Sequence, residues 1–519
     1  MNIIPIVLGA KPGIQRDGTS FYSDNFIAGQ YCRFYHGWPQ KMLGWADILQ
    51  GTEEVVGSIF GNPNSQSYDV YLGRPSSLNY FNITNNGAVT GEITRTPVVG
   101  FTPNGENLWS FTATTLTSGG AVPVVIAQVS PNLNDITTET DGPVFYGSKN
   151  SNAPFIQFES LTGDGPVGPI TCSGGVIATS NNLIVVYGNE GIRFCLTSDV
   201  TNWSAWETFG RTKCCAAINY QGSLLLWTLD GLYRAQYVPG DGAGALGIFN
   251  ISEISPNISI WSSKSIVVYQ NIVYWVGKGQ FYVYNGSVGR LDNIMNNNWF
   301  FDTTTGVNRN YKAKIAGFVD ELNDEICFLF PKGVSASENN YMIMYYPQSR
   351  AWADSPMERS VALSLSTYDY RIMPSTKIYK TILTSNTIIS TYPIFQHEYG
   401  YDDVFNNYAK PIDAFVIYPY KDFFSSQPSA ENNICMQTFR VEPDFVLQGT
   451  MELNIINKMY AQSSDIFSDT YTFDQSTEYI DIAPTQGRLV SVQIRSNVVG
   501  GYFEGGKTLH GIQRGAAAA

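Results

Sequence analysis

One local pattern recurs along this chain and restricts its fold more than any other feature. An apolar run of about five residues meets a turn centred on Gly, and a second, aromatic run follows. Asp69–Asn82 reads DVYLGRPSSLNYFN, Asn182–Leu196 reads NLIVVYGNEGIRFCL, Ser223–Tyr237 reads SLLLWTLDGLYRAQY, and Asn271–Asn285 reads NIVYWVGKGQFYVYN. Asp324–Tyr346 pairs EICFLF with YMIMYYP across a longer polar loop. Each is a β-hairpin signal, with Gly supplying the positive φ of the turn. Runs such as Leu183-Ile184-Val185-Val186 are continuously apolar, as expected of strands buried on both faces. Similar hairpins at spacings of about 35–60 residues point to propeller blades. The predicted fold is mainly β: a β-propeller with an additional antiparallel β-sandwich. A chain of stacked sandwiches is the rival, but would show cleaner apolar–polar alternation.

Composition narrows the function. Of 519 residues only 14% are charged, against about 25% in ordinary soluble domains, which argues against long, salt-bridge-laced helices. The 32 Tyr, 29 Phe and 10 Trp suit strands and supply a core, so disorder is not expected. The net charge of −13 argues against tight nucleic-acid binding, which needs clustered cations. Seven scattered cysteines without a CxxC, Cys32, Cys172, Cys195, Cys214, Cys215, Cys327 and Cys435, read as reduced, part-buried thiols. Cys214 and Cys215 should point to opposite faces of one strand. No run approaches the length of a membrane span, and the apolar start Met1–Ala10 lacks a leading cation and contains Pro5, so a signal peptide is not expected. The five N-x-S/T sequons, at Asn82, Asn202, Asn250, Asn257 and Asn285, are no more than so Asn- and Thr-rich a chain gives by chance.

The chain divides by pattern. Residues 1–50 form an N-terminal segment and 51–405 carry the hairpins of the propeller. Within them 104–152, rich in Thr, Ser, Gly and Pro, read as an extended blade or a projecting insertion. Residues 410–514 alternate more regularly, as in Met451–Ile456 and Leu489–Arg495, and predict the sandwich. Residues 515–519 are a tail.

Catalytic and metal signals are weak. The three histidines, His36, His397 and His510, are far apart, and no G-x-S-x-G, HExxH or phosphate-loop motif occurs. No enzyme activity, cofactor or metal is expected. Asp320-Glu321-Leu322-Asn323-Asp324-Glu325 holds four carboxylates but departs from an EF-hand order, and reads as a solvated turn before a strand. Gly163-Asp164-Gly165 and Gly240-Asp241-Gly242 are turns. Ser198–Trp203 faintly resembles the Asp box of sialidase propellers, though its Trp reads better as a filler between blades.

Two stretches are more specific. Arg16-Asp17-Gly18-Thr19 is followed by Arg33-Phe34-Tyr35-His36-Gly37-Trp38-Pro39-Gln40-Lys41-Met42-Leu43-Gly44-Trp45. Gln396-His397-Glu398-Tyr399-Gly400-Tyr401-Asp402-Asp403 is followed by Pro443-Asp444-Phe445 and Gly487-Arg488. Taken in order, these elements resemble the tail nozzle or tail hub proteins of short-tailed, podovirus-type bacteriophages, also called packaged-DNA stabilisation proteins. The chain departs from the commoner family pattern at Trp38 and Met42-Leu43, where a basic residue and Ile-Gly are expected.

The resemblance implies a structural virion protein of the tail, synthesised in the host cytoplasm. It implies a homo-hexameric ring below the portal and adaptor, in which a propeller is joined to a platform built from residues 1–50 and the C-terminal sandwich. Such a ring extends the DNA channel, retains packaged DNA, conducts it during ejection, and docks a tail fibre or needle protein. An acidic wall that double-stranded DNA slides past without tight binding fits the charge. Arg16, Asp17, Arg33 and Lys41 are then expected to knit the N-terminal segment to the sandwich, with turn stabilisation inside one domain as the plainer alternative. Glu398, Asp402 and Asp403 are expected to face a neighbour or the lumen. A constriction is expected from 104–152 or another projecting loop. The alternatives are a receptor- or glycan-binding propeller of a fibre, with Tyr and Trp stacking on sugars, and a glycan hydrolase with paired carboxylates.

Overall fold

A computed structural model of the chain describes residues 4–517 except 21–22, 57–58, 65, 105–106, 131–136, 138–139, 150, 243–244, 383–387 and 423–433. It is almost entirely β: among the described residues the one α-helix is the five-residue Asn297–Phe301, and the longest 3-10 helix is the six-residue Arg309–Lys314. Among the described residues no helix is long and apolar enough to cross a membrane.

Seven sheets follow one another along the chain, antiparallel except for one parallel pair in the seventh, Trp45–Gly51 with Asp402–Phe405. They begin with the strands Ile59–Pro63, Leu108–Leu116, Gly175–Ala178, Cys214–Tyr220, Val267–Tyr269, Ala316–Asp320 and Leu363–Leu365. Five are simple four-stranded meanders in which every strand pairs with the next. Each predicted hairpin supplies the second and third strands of a sheet, as Leu183–Gly188 with Gly191–Leu196 and Ser223–Thr228 with Gly231–Val238. Gly191 closes its turn at φ 111°, and a Cβ there would strike the Glu207 carbonyl, so only glycine fits.

The continuous apolarity of the second strands has a direct cause. Alternate side chains fill the gaps on the two sides of a sheet. Leu224 and Leu226 pack toward the third sheet, while Leu225 and Trp227 pack against Val273 and Trp275 of the fifth. Ile326, Phe328 and Phe330 of the sixth sheet meet Val276 and Phe281 of the fifth. Cys214 and Cys215 divide in the same way between two clusters, and all seven cysteines are free and buried. Trp203 is fully buried between the second and third sheets.

The sheets close on themselves. Ile372 and Ile394 of the seventh sheet pack with Val70, Leu72 and Phe81 of the first. The strand Trp45–Gly51, which precedes the first sheet in sequence, is hydrogen bonded into the seventh between Ile388–His397 and Asp402–Phe405. The first strand of the first sheet touches those of the second and seventh, that of the third touches those of the second and fourth, and that of the fifth touches that of the sixth. The segment 104–152, expected as an extended blade or a projecting insertion, takes the first form. It supplies Leu108–Leu116, Val122–Ser130 and Gly142–Ser148, the first three strands of the second sheet. Its apolar period is weak because Ser110 and Thr112 line a cavity, with the Thr112 hydroxyl also accepting the Ala178 N–H of the third sheet at 3.1 Å. The constriction expected from 104–152 falls in part on residues outside the described ones, 105–106, 131–136, 138–139 and 150.

Both ends of the chain build the sandwich. One sheet holds the long strands Ile434–Gln448 and Tyr502–Ala517 with Ile480–Gly487, and the N-terminal Ile4–Gly9, Cys32–Arg33 and Gln40–Lys41 join it. The apolar N-terminus is therefore a sheet strand. The other sheet pairs Met451–Lys458 with Leu489–Ser496 and Ala414–Ile417, and Ala28–Gln30 completes it. The core between them, including Val416, Leu453, Val492, Ile494 and Ile512, continues without a break into Leu329, Met342 and Met344 of the sixth sheet and Met373 of the seventh.

Candidate functional site: the junction of sandwich and sheet ring

The residues singled out in the sequence lie at or near one place, where the sandwich meets the sixth and seventh sheets. Arg33, at the edge of the sandwich, is its centre. Its guanidinium donates to both Glu398 carboxylate oxygens, at 2.9 and 2.7 Å. Its Nε lies 3.3 Å from Glu325 and its Nη2 lies 3.9 Å from Asp320. Arg371 of the seventh sheet holds the other Asp320 oxygen at 2.9 Å, and the Tyr346 hydroxyl donates to Glu325 at 3.1 Å. Two arginines and three carboxylates thus join three parts of the chain almost without solvent.

Burial sets the electrostatics. Desolvation pushes the Glu325 carboxyl up to about 7, with Arg33 opposing. Burial also works against ionised Asp320, but Arg371 and Arg33 prevail and hold it below its usual value. Asp320–Glu325 had been expected as a solvated turn, and this is corrected at its two ends. Only Glu321 and Leu322 are exposed; Asp320 and Glu325 turn inward because the strands they end and begin carry them to the arginines. Their carboxylates are engaged by Arg33 and Arg371, and among the described residues no group of three or more metal-ligating side chains occurs.

The other sequence candidates surround this cluster. Arg16 makes a bidentate pair with buried Asp354 of the sixth sheet at 2.8 and 2.9 Å. Asp17 accepts the backbone N–H groups of Asn298 and Trp299, at 2.7 and 2.8 Å, at the start of the short helix before the sixth sheet. Asp17 therefore fastens the N-terminal segment to the sheet ring and not to the sandwich, where it had been expected, while Arg16 reaches both, since its Nη2 also donates to the Gly29 carbonyl of the sandwich strand Ala28–Gln30 at 3.1 Å. Lys41 does reach the sandwich and donates to the Gly501 carbonyl at 2.6 Å; burial lowers its pKa despite nearby Asp402.

Glu398, Asp402 and Asp403 had been expected at a subunit face or lumen, and the structure turns them inward. Glu398 holds Arg33. Asp402 accepts the Gly500 N–H at 2.8 Å, and Asp403 accepts the Trp45 indole N–H at 2.7 Å. Close by, Arg359 donates through Nε to His397 Nε2 at 2.8 Å and lies over Phe395. Burial first, and then Arg359 and Arg371, depress the His397 pKa well below its ordinary value, so the ring is neutral. Sequence reasoning missed Asp354, Arg359 and Arg371. Asp354 and Arg371 are charges within largely apolar or aromatic strands, whereas Arg359 follows Glu358 between two strands and gave no such signal.

No family model matches the chain, and no curated protein matches it. Among solved structures, the extracellular domain of a putative hybrid two component system from B. thetaiotaomicron aligns at TM-score 0.31 and 12% identity, over 72% of this chain and 57% of that one. A second extracellular domain from that organism aligns over 43% of its own length, so the chain spans about half of these two structures. The WD40 domain of Toxoplasma gondii coronin aligns at TM-score 0.30 and 9% identity, over 79% and 91% of the two chains. A glycoside hydrolase aligns at TM-score 0.25 and 8% identity, over 88% and 98%.

Proposed function

We propose that this chain is a structural subunit of a phage tail, a nozzle or hub that assembles as a homo-hexameric ring and extends the DNA passage below the adaptor. In this reading the seven sheets are the blades of a β-propeller, the strand Trp45–Gly51 is its closing strand, and the sandwich is the platform. One observation carries it. The residues that bear the family resemblance stand at opposite ends of the sequence, yet Arg33 meets Glu398, and Lys41, Trp45, Asp402 and Asp403 lie at the same joint. A motif spent on fixing two bodies to each other is what a load-carrying part requires. The excess of 44 acidic over 31 basic residues suits a wall that DNA slides past.

The test is the native mass of the purified chain. A nozzle ring gives a particle near six times 57.4 kDa. A stable trimer points to a fibre instead.

A glycan-binding propeller is favoured by a separate feature. A cleft of about 210 Å³ between the sixth and seventh sheets is lined by Tyr368, Tyr370, Asp369 and Glu321, with Tyr399 edge-on to Tyr370. Tyrosine faces beside carboxylates suit sugar hydroxyls. Glycan-array binding lost in Tyr370→Ala would establish that reading.

A further inference from the structure

The centre of the sheet ring is not an empty hole. Lys264 and Leu108 line two cavities there, one on each side of them. The second is nearly filled, at about 10 Å³, and on that side Lys314 pairs with Glu338. The first is about 360 Å³, within the range of small-molecule sites. It is framed by the first strands of the second, third and fourth sheets and the turn Ser263–Ser265. Ser110, Thr112, Gln128, Asn219 and Ser263 give it a hydrogen-bonding wall, and among the described residues no aspartate or glutamate lines it.

Lys264 is, among the described residues, the one charged side chain lining this cavity. Among the described residues its ammonium has no ion-pair or hydrogen-bond partner. Burial alone pulls its pKa down to about 8, with no carboxylate compensating. A half-buried cation without a counter-charge costs stability unless something neutralises it. The surrounding groups are neutral donors and acceptors, which suit hydroxyls and not an apolar guest.

We infer that this central cavity binds a small hydroxylated organic anion, the size of a monosaccharide acid or a monosaccharide phosphate, with its anionic group on Lys264 and its hydroxyls on Ser110, Thr112, Asn219 and Ser263. The site goes beyond the nozzle reading and does not depend on it, because none of these residues takes part in the junction.

The test is calorimetric titration of the full chain with four probes: glucuronate, glucose 6-phosphate, glucose and inorganic phosphate. Saturable binding of the first two is expected, with glucose far weaker. Lys264→Met should weaken both by about tenfold or more, and Lys264→Arg by less. In the wild-type chain, saturating glucuronate should slow amine-directed labelling of Lys264, read by mass spectrometry, which needs no variant to fold. Four results would each overturn the site. They are no saturable binding by wild type, glucose binding as well as glucuronate, binding unchanged in Lys264→Met, and labelling of Lys264 unaffected by glucuronate. Phosphate binding as tightly as glucose 6-phosphate would remove the hydroxyl-reading wall from the inference.

Discussion

Arg33 shows most clearly how this molecule spends its few charges. Placing a guanidinium out of water is costly, and the cost is offset only while its carboxylate partners stay in place. Arg33→Met should therefore destabilise the chain by roughly 3–5 kcal/mol in urea unfolding, because it strands Glu398, Glu325 and Asp320. Arg33→Lys should recover little, since one ammonium cannot hold Glu398 with two parallel bonds. The cluster also makes stability depend on pH. Folded Glu325 keeps its proton up to about 7, while the unfolded side chain releases it near 4.5. Between these values the folded state binds more protons, so stability falls as pH rises and levels off above about 7. Glu54, raised to about 7 by burial and by Glu338, adds a slope of the same sign. Unfolding midpoints measured across pH 4.5–7 should flatten in part in Glu325→Gln and further when Glu54→Gln is added; an unchanged slope would show that these carboxyls are ionised in the fold. At this scale the sequence was only half legible. Arg33, Lys41 and Glu398 were found through the resemblance, but their partners were not. Asp320 and Glu325 look like any acidic turn until tertiary structure brings two arginines over them.

At the scale of elements, the sequence spoke more clearly. The continuous apolarity of Leu183–Gly188 and Ser223–Thr228 predicts strands buried on both faces, and Leu183–Tyr187 and Leu224–Trp227 do fill one or the other of two gaps. The half-buried period of Met451–Lys458 and Leu489–Ser496 likewise matches a pair of sandwich strands. What stayed hidden was non-local pairing. Trp45–Gly51 finds partners more than 300 residues away, and no local pattern records which sheet a strand completes. Leu108–Leu116 was hard to read because polar Ser110 and Thr112 line a cavity beside the third sheet. Two element-level outcomes follow. Ala46→Pro, in a strand paired on both sides, should cost roughly 3 kcal/mol or more and expose the first and seventh sheets to limited proteolysis. Trp227→Ala should cost roughly 3–5 kcal/mol by opening the gap against Trp275, whose ring lies 5.5 Å away edge-on. A loss below about 1 kcal/mol would mean that the two sheets close over the space.

For the whole molecule, the decisive feature is that the sandwich and the sheet ring share one hydrophobic core and one buried ion cluster. Domains joined by an exposed linker move by default, whereas a shared apolar core resists this. A rigid two-part subunit is suited to be stacked and loaded, and the acidic composition suits a passage for DNA. Lateral contacts between unlike faces close a ring when the rotation between subunits is right. Negative-stain imaging of the purified full-length chain, alone and after addition of the phage adaptor ring, tests this most directly. A nozzle predicts six-fold class averages with an open axial passage, coaxial with the adaptor. Monomers or three-fold particles that fail to join the adaptor would contradict it.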